Sequence, residues 1–256
     1  MINIKTQEEI ELMRFGGKIL SQVLSQVIKE IKPGVSEKDL DTLAEKLIRR
    51  RGAEPGFKKV EGYKNTICAS TNSVVVHGIP TDYKLKEEDV IGIDCGVFYK
   101  GLHTDMSETV RVKSSKFRVQ NKDEINKFLE VGRKALNEAI KMSRAGNRVG
   151  HISKTIQDII EKDNGYSVVR TLVGHGVGRE LHEEPEVPGF LVGDIESTPT
   201  LKPGMTIAIE VIYNMGKSDV ILLKDGWTIR TKDNSISGVF VKTVAITNGS
   251  PLILTP

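Results

Sequence analysis

The stretch LKEEDVIGID, residues Leu85 to Asp94, is repeated in outline by LKPGMTIAIE, residues Leu201 to Glu210. Both segments begin with Leu-Lys, continue through four unmatched residues to Ile-x-Ile, and end in an acid. A His-Gly pair stands upstream of each segment, at His77 and at His175. Turn-plus-strand segments can match by chance, but an acid at the end of an apolar strand is unfavourable because a buried, unpaired carboxylate is costly. The repeat therefore predicts an internal duplication of the chain.

The order of the predicted elements agrees with a duplication, because a pair of helices precedes a group of strands in each half. Thr6 and Ser36 each have an acid three residues later, which is the capping-box arrangement that opens a helix. Apolar residues at helical spacing predict a second pair of helices over Glu124 to Met142 and Val149 to Lys162. This combination of helix pairs and strands indicates an α+β fold.

The composition is that of an ordinary soluble protein. Lys and Arg total 37 against 34 Asp and Glu, a balance that argues against a dedicated nucleic-acid binder. No apolar run approaches the roughly 18 residues that a membrane span requires, and the opening MINIKTQEEIE lacks the pattern of a signal peptide. Cys68 and Cys95 are too few for a disulfide framework and are expected to be buried thiols. We therefore expect a cytoplasmic protein that binds neither DNA nor a membrane.

Two acids are brought together if VIGIDCGVFYKGLHTDMSETV, residues Val90 to Val110, forms an antiparallel hairpin. With the turn near Lys100, Asp94 lies opposite Ser107, and Asp105 lies on the same face about 7 to 8 Å away by the usual spacing of a sheet. Two carboxylates aimed at one point repel, and a divalent cation is a commoner remedy than a shared proton or a lysine. The alternative is a solvated polar face of an antiparallel sheet.

A histidine cluster follows in TLVGHGVGRELHEEPEVPG, residues Thr171 to Gly189. Glycines on both sides of His175 suit a side chain presented at a cleft, and His182 comes seven residues later. The segment is not the H-E-x-x-H helix of zinc proteases, because Pro185 stands where the helix would continue. The alternative is that these histidines are structural residues held by hydrogen bonds.

The segments VVVHGIP, IDCGVFYKGLHTD, GHGVGRELHEEP and LKPGMTIAIE occur in the order and spacing of type I methionine aminopeptidases of the bacterial kind, which the chain resembles over nearly its whole length. The resemblance implies the pita-bread fold, a pseudo-twofold duplication of a helix pair and an antiparallel sheet. It implies one catalytic domain over residues 1–256, with halves of about 1–115 and 116–256. It also implies removal of the initiator methionine from nascent proteins by attack of a metal-activated water on the first peptide bond.

The resemblance implies two metals held by five residues, of which this chain matches four: Asp94, Asp105, His175 and Glu210. The fifth is a glutamate in the last strand, where this sequence has Val241, and no glutamate occurs after Glu210. Three ligands are a normal number for a catalytic ion, so we expect one occupied site at Asp105, His175 and Glu210 and a weak or empty second position. Lys242 should point away from Val241 by strand alternation; the alternative is a local bulge that brings its ammonium toward the vacant position. The donors suit manganese, cobalt, iron or zinc, and the sequence leaves open whether Val241 is natural or introduced.

The resemblance also assigns residues to the substrate. It implies that His77 and His182 hydrogen-bond the substrate and the developing tetrahedral species, and that Glu210 accepts the proton of the attacking water. It implies an apolar slot for methionine whose residues here are Tyr63, Cys68, Leu181 and Trp227, with Leu181 in place of the family's usual phenylalanine.

Two functions stay open at this point. The first is a working aminopeptidase, a monomer that acts on nascent polypeptides with an N-terminal methionine and a small second residue and that meets the ribosome. The second is a catalytically impaired pita-bread protein that binds other proteins or the ribosome, which Val241 favours. The four matched ligands favour the enzyme, because clustered carboxylates are costly to keep without a use.

Overall fold

The structure, a computed structural model, describes residues 2–113 and 124–256. In this part of the chain no helix is both long and apolar enough to cross a membrane. The long helices are α1 (Gln7–Lys29), α2 (Glu37–Arg50), α3 (Glu124–Met142) and α4 (Val149–Gln157). Single turns of 3-10 helix cover Phe57–Lys59 and Ile195–Ser197, and a π-helical turn covers Asp158–Lys162.

The helices begin where the sequence predicts. The hydroxyl of Thr6 accepts a hydrogen bond from the backbone of Glu9, and the carboxylate of Glu9 accepts one from the backbone of Thr6. Ser36 and Asp39 form the same reciprocal pair ahead of α2. The helix predicted over Val149 to Lys162 changes to π-helical hydrogen bonding in its last five residues.

The strands of the described residues are β1 (Glu54–Pro55), β2 (Ile67–Thr71), β3 (Val74–Val76), β4 (Val90–Tyr99), β5 (Leu102–Arg111), β6 (Ser167–Val168), β7 (Gly174–Gly176), β8 (Glu183–Val187), β9 (Thr206–Asn214), β10 (Val220–Leu222), β11 (Ile229–Thr231), β12 (Ser237–Ala245) and β13 (Leu252–Ile253). They form two sheets in which paired strands run antiparallel. The larger sheet follows the order β1-β4-β5-β12-β9-β7-β8, with β2 beside β4, β6 beside β9 and β13 beside β12, and the smaller sheet is β10-β11-β3.

Each helix pair packs on its own part of the large sheet. Buried apolar residues of α1 and α2 form one cluster with β2 and β4, and those of α3 and α4 form another with β9 and β12. Cys95 belongs to the first cluster and is 1% exposed, which agrees with the predicted buried thiol. The α+β fold of helix pairs and an antiparallel sheet is therefore confirmed. The predicted boundary between the halves, near 115–116, lies outside the described residues.

Register fixes which side chains share a face of the large sheet. Tyr99 pairs with Leu102 across the β4–β5 hairpin, so Asp94 lies opposite Ser107 as predicted. Ser107 in turn lies opposite Val241 on β12, and Val241 lies opposite Glu210 on β9. Directly opposite side chains in a sheet point to the same face. One row thus crosses four strands, with a carboxylate at each end.

Candidate metal centre

Asp105 and His175 lie on the same face as the row from Asp94 to Glu210. Asp105 is two residues from Ser107 on β5, and His175 pairs with Ala208, two residues from Glu210 on β9. Nε2 of His175 is 3.1 Å from Oε1 of Glu210 and 3.6 Å from Oδ2 of Asp105. One ligand atom from each of Asp105, His175 and Glu210 lies within 4.8 Å of the other two. These three residues are therefore close enough to share one cation.

The imidazole of His175 is oriented by its own strand. Nδ1 donates to the carbonyl oxygen of Gly176 at 2.8 Å, so Nε2 is the nitrogen that faces the carboxylates. Burial disfavours the charged imidazolium, but the hydrogen bonds and charges of Asp105 and Glu210 outweigh this cost and raise the pKa of His175 to about 10. The space between the carboxylates of Asp105 and Glu210 thus favours a positive charge.

The carboxyl groups of Asp94 and Glu210 are difficult to ionise without a cation. Burial, followed by the charges of Asp105 and Glu210, raises the pKa of Asp94 well above its ordinary value, and burial also raises the pKa of Glu210. Oδ1 of Asp94 and Oδ1 of Asp105 are buried and accept no hydrogen bond from the residues that the structure describes. A divalent cation relieves both the repulsion and the unpaired oxygens, and oxygen donors with one imidazole suit such an ion. The residues present fit a divalent metal.

Val241 offers no donor atom to this face. Its side chain is 1% exposed and packs in an apolar cluster with Val239 and Ile212. The ammonium of Lys242 donates to the carbonyl oxygen of Thr255 at 2.6 Å, so it points away from the metal face as strand alternation predicts. Neither side chain replaces the absent glutamate.

The carboxylates open into a cavity of about 490 Å³. Tyr63, Cys68 and Leu181 pack beside them in a small apolar cluster that also contains Phe57, and Trp227 packs against it. The rings of Tyr63 and Trp227 meet edge-on with centroids 5.0 Å apart. The structure thus brings the four predicted slot residues together at one end of the cavity, next to the carboxylates.

Phe57 was not predicted as a slot residue. It is 6% exposed, and Gly96 on β4 gives it room, because a Cβ at Gly96 would lie 2.7 Å from its ring. Phe57 itself stands in a polar, irregular stretch without a helical or strand pattern. The sequence feature that could have indicated this contact is Gly96, because a glycine inside a strand often marks the close approach of another group.

The two other predicted site histidines, His77 and His182, line the same cavity. His77 follows β3 with a backbone φ of 55°, and its ring lies 6.4 Å from that of Trp227. His182 precedes β8, and its ring is edge-on to that of His175 with centroids 4.4 Å apart. Loss of hydration, followed by the charge of His175, lowers the pKa of His182 to about 4.

Comparison with known proteins assigns the family. Residues 11–247 match metallopeptidase family M24. The chain is 41% identical over 256 residues to the methionine aminopeptidase of Clostridium perfringens, covering 100% of this chain and 99% of that protein. It is 40% identical over 255 residues to methionine aminopeptidase 1 of Bacillus subtilis, covering 100% of this chain and 99% of that protein.

Solved structures agree with this assignment. The crystal structure of methionine aminopeptidase from Thermotoga maritima superposes with a TM-score of 0.93 at 39% identity and covers 100% of this chain and 99% of that one. A prolidase from Pyrococcus horikoshii shares the fold at a TM-score of 0.76 and 23% identity, with 99% of this chain and 63% of that chain covered. The predicted pita-bread fold is confirmed, and nothing in these comparisons supports the binding-module alternative. The chain belongs to the methionine aminopeptidases of metallopeptidase family M24, enzymes that use a metal to remove the N-terminal methionine.

Proposed function

We propose that this chain hydrolyses the first peptide bond of polypeptides that begin with methionine and a small second residue, using a single divalent cation. The observation that carries this proposal is the row from Asp94 to Glu210, in which Val241 occupies the position beside Glu210. Three donors, from Asp105, His175 and Glu210, form a compact set. A second ion would have only Asp94 and a shared Asp105, which are too few donors to hold it tightly.

The metal, when bound, polarises the scissile carbonyl and makes a water molecule a better nucleophile at neutral pH. Asp105, His175 and Glu210 hold it. Glu210 also accepts the proton of the attacking water, the role that the family resemblance implies for it. Asp105 and His175 are buried, and low exposure to water strengthens electrostatic contacts at this point.

Asp94 is free for a role other than metal binding when only one ion is present. Its Oδ1 is buried and accepts no hydrogen bond within the described residues, and it faces the same cavity. An ammonium group is a cation that a single carboxylate can bind through charge-assisted hydrogen bonds. We assign the free amino terminus of the substrate to Asp94, which explains how the site would reject chains whose amino terminus is blocked.

The histidines and the apolar slot orient the rest of the substrate. His182 lies beside His175 at the cavity, and one ring N–H can donate a hydrogen bond to the developing tetrahedral oxygen. His77, across the cavity beside Trp227, contacts the substrate backbone. The slot formed by Tyr63, Cys68, Leu181 and Trp227 takes the methionine side chain.

The first experiment is hydrolysis of a Met-Ala-Ser peptide by metal-stripped protein reloaded with manganese, cobalt, iron or zinc, with ions counted by native mass spectrometry. We expect turnover that saturates at one ion per chain, and no turnover by Asp105→Asn. Two tightly bound ions would contradict the single site, and the absence of turnover with all four metals would contradict the enzyme. The cytoplasmic location, the monomeric state and an encounter with the ribosome stay predictions.

A further inference from the structure

A buried ion pair joins the start of the chain to the segment that carries His182. Nζ of Lys5 donates to Oε2 of Glu183, and the two side chains are only 1% and 3% exposed. Lysine is almost never fully buried unless it is paired. Glu183 directly follows His182, so the ion pair lies one residue from a side chain of the cavity.

The surrounding backbone is shaped to hold this pair. A Cβ at Gly178 would lie 2.2 Å from Cε and 2.6 Å from Nζ of Lys5, so only glycine leaves room for the ammonium there. Oε1 of Glu183 accepts a hydrogen bond from the backbone of Glu180 at 3.3 Å, which ties the carboxylate to the loop before it. The backbone N–H of Lys5 donates to the carbonyl oxygen of Gly204 at 2.7 Å. Lys5 is therefore fixed to the body of the protein, and Glu183 to the loop.

The loop that this pair holds contains two residues of the cavity. Residues 177–182 connect β7 with β8 and carry Leu181 in the apolar slot and His182 at the rim. Arg179 at the outer side of the same loop pairs with Glu9 of α1, but its side chain is 57% exposed. Of these two links to the amino-terminal segment, the Lys5 link is buried and ends beside His182.

We propose that Lys5 is a positioning residue, whose buried contact with Glu183 sets the location of His182 against the reacting peptide bond. The proposal rests on the role given above to His182. A displacement of about 1 Å in a group that acts on the transition state can cost about 100-fold in rate. A loss of this kind lowers kcat more than it raises KM, because three of the four slot residues, Tyr63, Cys68 and Trp227, lie outside this loop.

The test is a double-mutant cycle between Lys5→Met and His182→Ala, measured as kcat and KM for Met-Ala-Ser. We expect Lys5→Met to lower kcat by about tenfold or more, and the double variant to match His182→Ala alone within about twofold. Circular dichroism at the assay temperature gives the folded fraction for each variant. If Lys5→Met does not fold, Glu183→Gln replaces it with the same expectation, because the amide still fills the space.

Arg179→Met is the matched control, since it removes the other, exposed ion pair of the same loop. We expect its kcat to stay within about twofold of the parent. If the fold-losses in kcat of Lys5→Met and His182→Ala multiply in the double variant, the positioning role of Lys5 is wrong. The same conclusion follows if Lys5→Met folds with an unchanged kcat. Neither result contradicts the role proposed for His182. If His182→Ala alone leaves kcat unchanged, the role proposed for His182 is wrong and the positioning role is wrong with it.

Discussion

Val241 lies directly opposite Glu210 across the β12–β9 pair, and its side chain is 1% exposed. Regular antiparallel pairing runs from Ser237 to Ala245, so no slip of the strand brings another residue to this position. An apolar, buried side chain next to a metal-binding carboxylate limits the number of donors that the site can supply. The residue at position 241 should therefore determine how many metal ions the chain binds.

Val241→Glu should increase the number of bound ions from one to two per chain, because the new carboxylate faces both Glu210 and the Asp94 side of the row. Without metal, the variant should be less stable than the parent by about 3 kcal/mol or more, since it adds an unpaired buried charge. An ion at 100 times its Kd should restore about 2.7 kcal/mol. Native mass spectrometry and thermal unfolding with and without metal measure both effects.

Val241→Gln is the control for this change, because glutamine has the size of glutamate and no charge. The glutamine variant should bind one ion per chain, and metal should stabilise it against unfolding no more than it stabilises the parent. A second ion bound equally by the glutamine and glutamate variants would mean that the parent lacks an oxygen donor at this position, whether or not that donor is charged. One ion in the glutamate variant would show that residue 241 does not control stoichiometry.

The sequence predicts the metal face well because local pairing determines it. A short turn at Lys100 fixes the register of the β4–β5 hairpin, and that register alone places Asp94 and Asp105 on one face. The resemblance implies a glutamate in the last strand where this chain has Val241, and the observed pairing of β12 with β9 places Val241 opposite Glu210. The direction of Lys242 follows from strand alternation.

The sequence does not predict contacts between distant segments that lack a helical or strand pattern. Lys5 and Glu183 are 178 residues apart, and each alone has the pattern of an ordinary surface charge. Phe57 enters the slot through a short helical turn whose position depends on Gly96 of a strand distant in sequence. These contacts follow from the assembled sheet, so they become visible only in three dimensions.

Asp94→Asn should leave one ion bound, whereas Asp105→Asn and Glu210→Gln should weaken metal binding by about 100-fold or more. The reason is that Asp94 lies outside the compact donor set of Asp105, His175 and Glu210. Titration calorimetry with manganese measures each affinity. Equal losses of metal affinity in all three variants would make Asp94 a ligand of the bound ion.

The same variant tests recognition of the amino terminus. The parent should bind methioninol more tightly than 4-(methylthio)butan-1-ol, which lacks only the amine, by about tenfold or more, the strength of a charge-assisted hydrogen bond. In Asp94→Asn this preference should fall to about threefold or less, because the amide carries no charge. Competitive inhibition constants for the two alcohols measure it, and an unchanged ratio would falsify the assignment of the ammonium to Asp94.

Leu181→Phe should sharpen the choice of the first residue, because Leu181 packs with Tyr63 and Cys68 at the slot. One methylene in an apolar pocket is worth about 1 to 3 kcal/mol. The variant should therefore lose at least about tenfold more kcat/KM for an ethionyl peptide than for the methionyl peptide. Leu172→Phe is the control, since Leu172 lines the cavity but packs with a different apolar cluster. An unchanged ratio in Leu181→Phe would place the side chain of the substrate elsewhere in the cavity.

Lys242→Met should weaken the fold without affecting the metal. The ammonium of Lys242 is the donor to the carbonyl oxygen of Thr255, and its loss leaves that oxygen unpaired at a cost of about 1 to 3 kcal/mol of unfolding free energy. Metal content and kcat/KM should stay within about twofold of the parent, because the side chain lies on the face opposite the carboxylates. Lys232→Met, at an exposed turn, should change stability by less than about 0.5 kcal/mol. Denaturant unfolding and metal analysis on the same samples separate the two effects, and a loss of metal in Lys242→Met alone would place the ammonium beside the ion.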